Sequence, residues 1–178
     1  MNDYAKKRHE RSVNTSWTNV QQGDERKDDH QMNEYCFIIV KPGGVRRGHV
    51  GDIISRLEQE GFQLLALKHL TLTRRQVTSH YWRWQREAWF DGLLDHMTSG
   101  PSVAIAALGD AQRLEELAGT TVPIEAEPGT WRRLYGVSIT DNAVHTSSPG
   151  EGEIELRRFF QIRERYTLGM RAWWRRSA

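Results

Sequence analysis

The sequence predicts an α/β sandwich of split β-α-β, ferredoxin-like type: a four-stranded antiparallel sheet with helices packed on it. Three observations lead there. The run Tyr35-Cys36-Phe37-Ile38-Ile39-Val40 is continuously apolar, β-branched or aromatic, and too short for a buried helix. Strand-like stretches then alternate with stretches of helical period, in the order β-α-β-α-α-β-α-loop-β-α. Finally, 178 residues suffice for one substantial core, and no internal repeat at solenoid spacing suggests another architecture.

The first strand reads as central and buried on both faces, and Lys41-Pro42-Gly43-Gly44 ends it in a flexible turn. Val50, Ile53, Ile54 and Leu57 recur at i, i+3, i+4 and i+7, one face of a helix that Gly61 terminates. Phe62 to Leu72 is a second strand. Thr73 is placed to cap a helix running through Val77, Tyr81 and Trp84, and Phe90, Leu93, Leu94 and Met97 mark the next helical face. Ser99-Gly100-Pro101 stops that helix, and Ser102 to Leu108 forms a third strand. Asp110 caps a short helix through Leu114 and Leu117. From Gly119 to Thr130 two prolines and two glycines interrupt any period, which marks a long ordered or functional loop. A short strand is expected near Tyr135-Gly136-Val137-Ser138, and a last helix over Ile154 to Phe160.

Composition places the chain among globular proteins, with 38% hydrophobic and 27% charged residues. Residues 1–33 are polar and aperiodic; they bury too little to offset their ordering entropy and read as a disordered extension. The folded domain is expected over 34–161, followed by a basic, Trp-rich tail over 162–178. Five Arg against one Glu in the tail suit a charged partner such as nucleic acid or an anionic surface; packing across a neighbouring subunit is the favoured reading. The single cysteine, Cys36, excludes an intrachain disulfide and reads as buried core. No apolar stretch approaches the ~20 residues a bilayer span needs, and no signal-peptide pattern opens the chain, so the cytoplasm is the expected compartment.

Seven histidines are candidates for chemistry. His9 and His30 fall in the polar extension, whereas His49, His69, His80 and His96 lie on or beside elements and read as structural. His145 sits in Asn142-Ala143-Val144-His145-Thr146-Ser147-Ser148-Pro149-Gly150, a polar stretch between a strand and a helix, where scaffolds present reactive groups. A neutral imidazole is a nucleophile near pH 7 once an acceptor holds its other proton. Lys41 at a strand end before glycines could cradle an anion, although neither a Walker nor a Rossmann glycine pattern is present. Trp131-Arg132-Arg133 is either a phosphate clamp or a solvated charged run.

Taken in order, these segments resemble the nucleoside diphosphate kinase family over roughly residues 35–160. The resemblance is carried by Phe37-Ile38-Ile39-Val40-Lys41-Pro42 with Gly44-Val45, then Gly48 and Val50-Gly51, and Gly61-Phe62. His80-Tyr81, Gly92-Leu93, Ser99-Gly100-Pro101, Pro128-Gly129-Thr130 with Arg132, and Asn142-x-x-His145-x-Ser147 complete it. It implies ping-pong transfer of the γ-phosphate of a nucleoside triphosphate, usually ATP, to a nucleoside diphosphate. Mg²⁺ would be held mainly by the nucleotide phosphates. His145 would be the nucleophile and Glu155 its orienting partner, with Ser147 supporting their loop. Lys41, Tyr81, Thr121, Arg132 and Asn142 would bind phosphates and ribose, and Trp89 would stack on the base beside Leu93. A homo-oligomer, hexamer or tetramer of dimers, is implied as well.

Several positions depart from the family pattern. Gly43 stands where an acid is usual in the lysine turn, and Arg83 where an acid follows the tyrosine. Glu115 replaces a phosphate-binding arginine, Arg133-Leu134 replaces Gly-Asp, and Thr146 and Ser148 replace the glycine and aspartate flanking the serine. Arg83 and Arg133 would add positive charge near the phosphate path, and Glu115 would remove some. These changes imply a slower enzyme, or as the alternative a non-catalytic nucleotide-binding or regulatory module on the same fold.

Overall fold

The computed structural model describes residues 33–161. The extension expected over 1–33 lies outside them apart from Asn33, as does the tail expected over 162–178. Among the described residues four strands form one antiparallel sheet in the order β2-β3-β1-β4: β1 (Glu34–Val40), β2 (Gln63–Thr71), β3 (Pro101–Gly109) and β4 (Val144–Thr146). This is the predicted split β-α-β arrangement. β1 is central, and its residues from Cys36 to Val40 are fully buried, as a run without polar alternation requires.

Period-2 alternation along β1 divides the core in two. Cys36, Ile38 and Val40 face α2 (Val50–Gln59) through Ile53 and Leu57, and α5 (Ala111–Ala118) through Leu114 and Leu117. Phe37 and Ile39 face the other layer: α3 (Arg74–His80), α4 (Phe90–Thr98) and α7 (Gly152–Phe159), through Val77, Leu94, Met97, Leu156 and Phe159. The expected caps are present. Thr73 Oγ1 accepts from the Gln76 N–H at 3.3 Å while the Gln76 side chain accepts from the Thr73 N–H at 2.9 Å. Asp110 accepts from the N–H groups of Gln112 and Arg113. α7 can lie against β1 because its first residue is glycine; a Cβ at Gly152 would overlap the Tyr35 carbonyl.

Three expectations are corrected. Lys41-Pro42-Gly43-Gly44 is not an open turn: Pro42 starts a one-turn helix, α1 (Pro42–Arg46), with Lys41 as its N-cap. The helix capped by Thr73 stops at His80, and Trp82–Trp84 continue as a 3₁₀ turn. No strand forms at Tyr135–Ser138. Tyr135 ends α6 (Trp131–Tyr135), the Gly136 N–H bonds the Arg132 carbonyl, and the Val137 and Ser138 N–H groups turn back onto the Asp141 carbonyl. The fourth strand is β4, and it contains His145, which sequence reasoning had placed in a loop.

Cys36 is buried in the sheet with its thiol directed at the Gly109 carbonyl, and burial, with Glu34 and Asp110 adding to it, pushes its pKa up to about 12. The native protein is expected to resist a thiol reagent at about pH 8 and to react only after denaturation. Rapid labelling of folded protein would contradict this packing.

Candidate active site

A cleft of 390 Å³ opens at the C-terminal end of β1, lined by Lys41, Tyr81, Trp89, Leu93, Thr121, Arg132, Asn142, His145 and Glu155 among others. Every residue to which the resemblance assigns a catalytic or nucleotide-binding role, Ser147 excepted, lines this space. Ser147 lies behind it, fully buried, where its hydroxyl accepts from the Phe37 N–H at 3.0 Å and its own N–H bonds the Phe37 carbonyl.

Strand register aims the histidine. His145 is the cross-strand partner of Ile39, so its side chain shares the sheet face of Ile39 and Phe37, toward α3 and α7. Ala143, just before β4, holds φ +69°, an uncommon left-handed conformation for a residue with a side chain. That residue's carbonyl accepts the Lys41 N–H at 2.8 Å and ties the kink to the end of β1.

His145 Nε2 lies 2.7 Å from Glu155 Oε2 and 3.0 Å from Nε2 of His80, the last residue of α3. Glu155, which the resemblance implied as an orienting partner, therefore lies within hydrogen-bond reach of His145. His80 was missed: a histidine at a helix end carries no local sign of what the fold puts opposite it. Its other nitrogen faces Arg158 Nη1 at 3.5 Å, and Phe37, Tyr81 and Phe159 surround the ring. A carboxylate accepting from Nε2–H of His145 leaves Nδ1 as its unprotonated nitrogen.

The donors around the cleft are held by the backbone. Lys41 Nζ donates to Asn142 Oδ1 at 2.6 Å and the Thr140 carbonyl at 3.3 Å, while Asn142 Nδ2 donates to the Thr121 carbonyl at 3.0 Å. Arg132 Nη1 donates to the Gly119 carbonyl at 2.5 Å, past the end of α5. Two donors are left over: Arg132 Nε and the Tyr81 hydroxyl are buried with no hydrogen-bond partner among the described residues. Buried donors are ordinarily satisfied, so both point to an oxygen-rich ligand.

The departures from the family pattern fall into two groups. Arg83 and Arg133 do not line the cleft: Arg83 pairs with Glu151 at 2.6 Å, and Arg133 donates to the Ile124 carbonyl. The positive charge expected from them near the phosphate path is therefore absent from the cleft wall. Glu115 does line it, bound by the Ser148 hydroxyl at 2.8 Å, and Glu151 and Trp84 are further lining residues the sequence did not suggest.

Burial pushes the His80 and His145 imidazoles well below the usual histidine range, helped for His80 by His145 and for His145 by Lys41 and Arg132. Burial pushes the Glu155 carboxyl and the Tyr81 phenol up. Lys41 is lowered to about 7 by burial and then by Arg132, with Asp141 opposing. The two histidines bind protons more readily when unfolded, so the stability they contribute above about pH 6.5 is lost as pH falls. Lys41 acts in the same direction, between its unfolded value near 10.4 and about 7. Glu155, raised, acts oppositely and loses its contribution as pH rises through its folded value. Thermal unfolding is expected to show a falling Tm from pH 7 to 5, with uptake of about two protons on unfolding at the acid end. A Tm that rises over this range would contradict neutral, buried imidazoles.

His80, His145 and Glu155 place one ligand atom each within 4.8 Å of one another. That N₂O set suits a transition metal and not Mg²⁺, which takes an octahedron of oxygens largely from water and phosphates. The cleft's lysine, arginine and phenol donors fit the phosphates that would bring Mg²⁺ with them. No helix among the described residues is long and apolar enough to cross a membrane.

The family model for nucleoside diphosphate kinase matches residues 34–165. The nucleoside diphosphate kinase of Carboxydothermus hydrogenoformans is 42% identical over 134 residues, 74% of this chain and 90% of that protein. That of Archaeoglobus fulgidus is 41% identical over 130 residues, 71% of this chain and 86% of that protein. Among solved structures, nucleoside diphosphate kinase from Aquifex aeolicus superposes with a TM-score of 0.71 at 34% identity, over 74% of this chain and 98% of that one. The Halobacterium salinarum enzyme in complex with CDP gives 0.72 at 34% identity, over 79% and 97%.

Proposed function

The chain belongs to the nucleoside diphosphate kinase family, and from that membership we propose that it moves phosphate between nucleotides through a phosphohistidine at His145. It is a phosphotransferase, and a nucleoside triphosphate, with ATP as the usual one, is the donor. The observation that carries the histidine assignment is the engagement of Nε2 by Glu155 at 2.7 Å, beside two unsatisfied donors on Tyr81 and Arg132.

The steps follow from these contacts. Lys41, Arg132 and Tyr81 hold the phosphates, and Thr121 and Asn142 the sugar side, while the base lies on Trp89 beside Leu93. Trp89 is 43% exposed, as a ring awaiting a stacking partner would be. The Nδ1 lone pair of His145 attacks the γ-phosphorus, the bond to the β-bridging oxygen breaks, and the nucleoside diphosphate departs. Glu155 holds the Nε2 proton throughout and offsets the imidazolium charge. A second nucleoside diphosphate then takes the phosphoryl group by the reverse path. Mg²⁺, carried by the phosphates, would neutralise their charge.

Incubation with γ-labelled ATP and Mg²⁺ should give a base-stable, acid-labile label that a nucleoside diphosphate chases off. No label at saturating Mg²⁺ sinks the reading. A non-catalytic regulatory module is the less favoured alternative, because the nucleophile, its carboxylate and the donors of Lys41, Tyr81 and Arg132 remain.

Self-association belongs to the same reading. Ile124, Leu134, Val137 and Ile139 are each more than half exposed along one stretch of chain, apolar area that a second copy would cover. Sedimentation should report a tetramer or hexamer, and a monomer at micromolar concentration would refute it. The cytoplasm is the compartment that suits this chemistry.

A further inference from the structure

We propose that Asp141 is a positioning residue for the phosphate-binding Lys41: its carboxylate fills the room that Gly43 leaves beside that lysine and braces the segment gripping the ammonium. The proposal rests on the reading of Lys41 as a phosphate ligand. It begins with a steric fact. A Cβ added at Gly43 would lie 2.5 Å from both Cγ and Oδ2 of Asp141, and closer still to Oδ1. Gly43 is in α1 with an ordinary backbone, so nothing else about this position demands glycine. Glycine is needed there because a carboxylate from a distant segment already occupies the side-chain volume.

That carboxylate is held on several sides. Arg47, the residue after α1, donates Nη1 to Oδ2 at 2.7 Å and Nη2 to Oδ1 at 3.0 Å, a bidentate pair, and Nη2 also reaches the Tyr135 carbonyl at 2.9 Å. His96 of α4 approaches Oδ1 with Nε2 at 3.6 Å. The Asp141 backbone is fixed as well: its N–H bonds Ser138 Oγ and its carbonyl accepts from Val137.

Position in the chain gives this brace its consequence. Asp141 lies between Thr140 and Asn142, and those two neighbours supply both hydrogen bonds to Lys41 Nζ. The Asp141–Arg47 pair therefore clamps the lysine-holding segment onto the same short helix that Lys41 caps. Ion pairs that keep part of their side chains in solvent add little stability, so the effect expected is on geometry and charge at Lys41. Asp141 is also the group that opposes the depression of Lys41 by burial and by Arg132 of α6. The charged groups facing Asp141 itself are Arg46, Arg47 and His96, which with Arg47 foremost hold its carboxyl below the usual range.

The test combines an isosteric change with a reciprocal one. Asp141→Asn keeps the shape and removes the charge. Its kcat/KM should fall about tenfold, chiefly through KM, and the alkaline limb of its pH profile should move down by about half a unit or more as Lys41 loses its supporting charge. Gly43→Ala should lower Tm in the parent and have no such cost in an Asp141→Gly background, a coupling that unrelated sites would not show. Gly43→Asp combined with Asp141→Gly should recover most of the turnover that Asp141→Gly loses. Additive Tm effects at the two positions, or an Asp141→Asn enzyme with parental KM and pH limb, would overturn the proposal. The Tm cycle needs no turnover. A chain that forms no phosphoenzyme but shows the coupling would refute the phosphotransfer reading while leaving the Gly43–Asp141 contact intact.

Discussion

His145→Gln is expected to abolish formation of the phosphoenzyme and to lower kcat by about 10⁴-fold or more, with little change in Tm. Glutamine is the informative replacement because its amide nitrogen can still donate toward Glu155, where the parent's Nε2 lies 2.7 Å away. A smaller residue would leave a buried carboxylate unpaired and mix a folding defect into the kinetics. With the donor kept and the nucleophilic Nδ1 removed, nucleotide should still protect the protein against heat, because Lys41, Arg132 and Tyr81 are untouched. Stopped-time labelling with γ-labelled ATP and a thermal shift with nucleotide and Mg²⁺ measure the two halves separately. Retained label in this variant would move the phosphorylation site elsewhere.

The second large effect is expected at the partner. Glu155→Gln should lower kcat by roughly a hundred- to a thousandfold and leave KM nearly unchanged. The carboxylate is the acceptor that keeps the proton on Nε2 and Nδ1 free; an amide can present its NH₂ instead and favour the opposite tautomer. It also removes the negative charge that offsets the imidazolium formed during attack. Nucleotide binding does not use that charge, so the loss belongs in kcat. His80 Nε2, 3.0 Å from His145 Nε2, is too strongly held in its neutral form by burial to take over. A variant whose loss lay wholly in KM would place Glu155 among the nucleotide contacts and not behind the histidine.

The parts of this protein legible in its sequence are those set by local periodicity and by capping. The apolar run 35–40 reads as a central strand, and α2, α4 and α5 announce themselves by apolar spacing, with Thr73 and Asp110 marking where helices start. His145, Lys41, Arg132 and Asn142 were found because their chemistry and their order along the chain agree, and the fold brings all four to one cleft. The errors lie where long-range contacts outweigh local preference. Tyr135–Ser138 has strand-forming residues but spends its hydrogen bonds on ending α6 and on a turn. β4 is three residues long with one aliphatic side chain, and only pairing with Val40, Ile39 and Ile38 makes it a strand.

The sequence by itself therefore determined the layered architecture, the family and the histidine proposed as nucleophile, since residue type and spacing are local properties of the chain. Tertiary structure alone decided what surrounds that nucleophile. It set His80 against Nε2, drew Arg83 and Arg133 away from the cleft into contacts with Glu151 and the Ile124 carbonyl, and brought Asp141 into the space above Gly43. All but the Arg133–Ile124 contact join residues far apart in sequence, and each depends on ångström-scale distances that only the packed sheet and its two helical layers create.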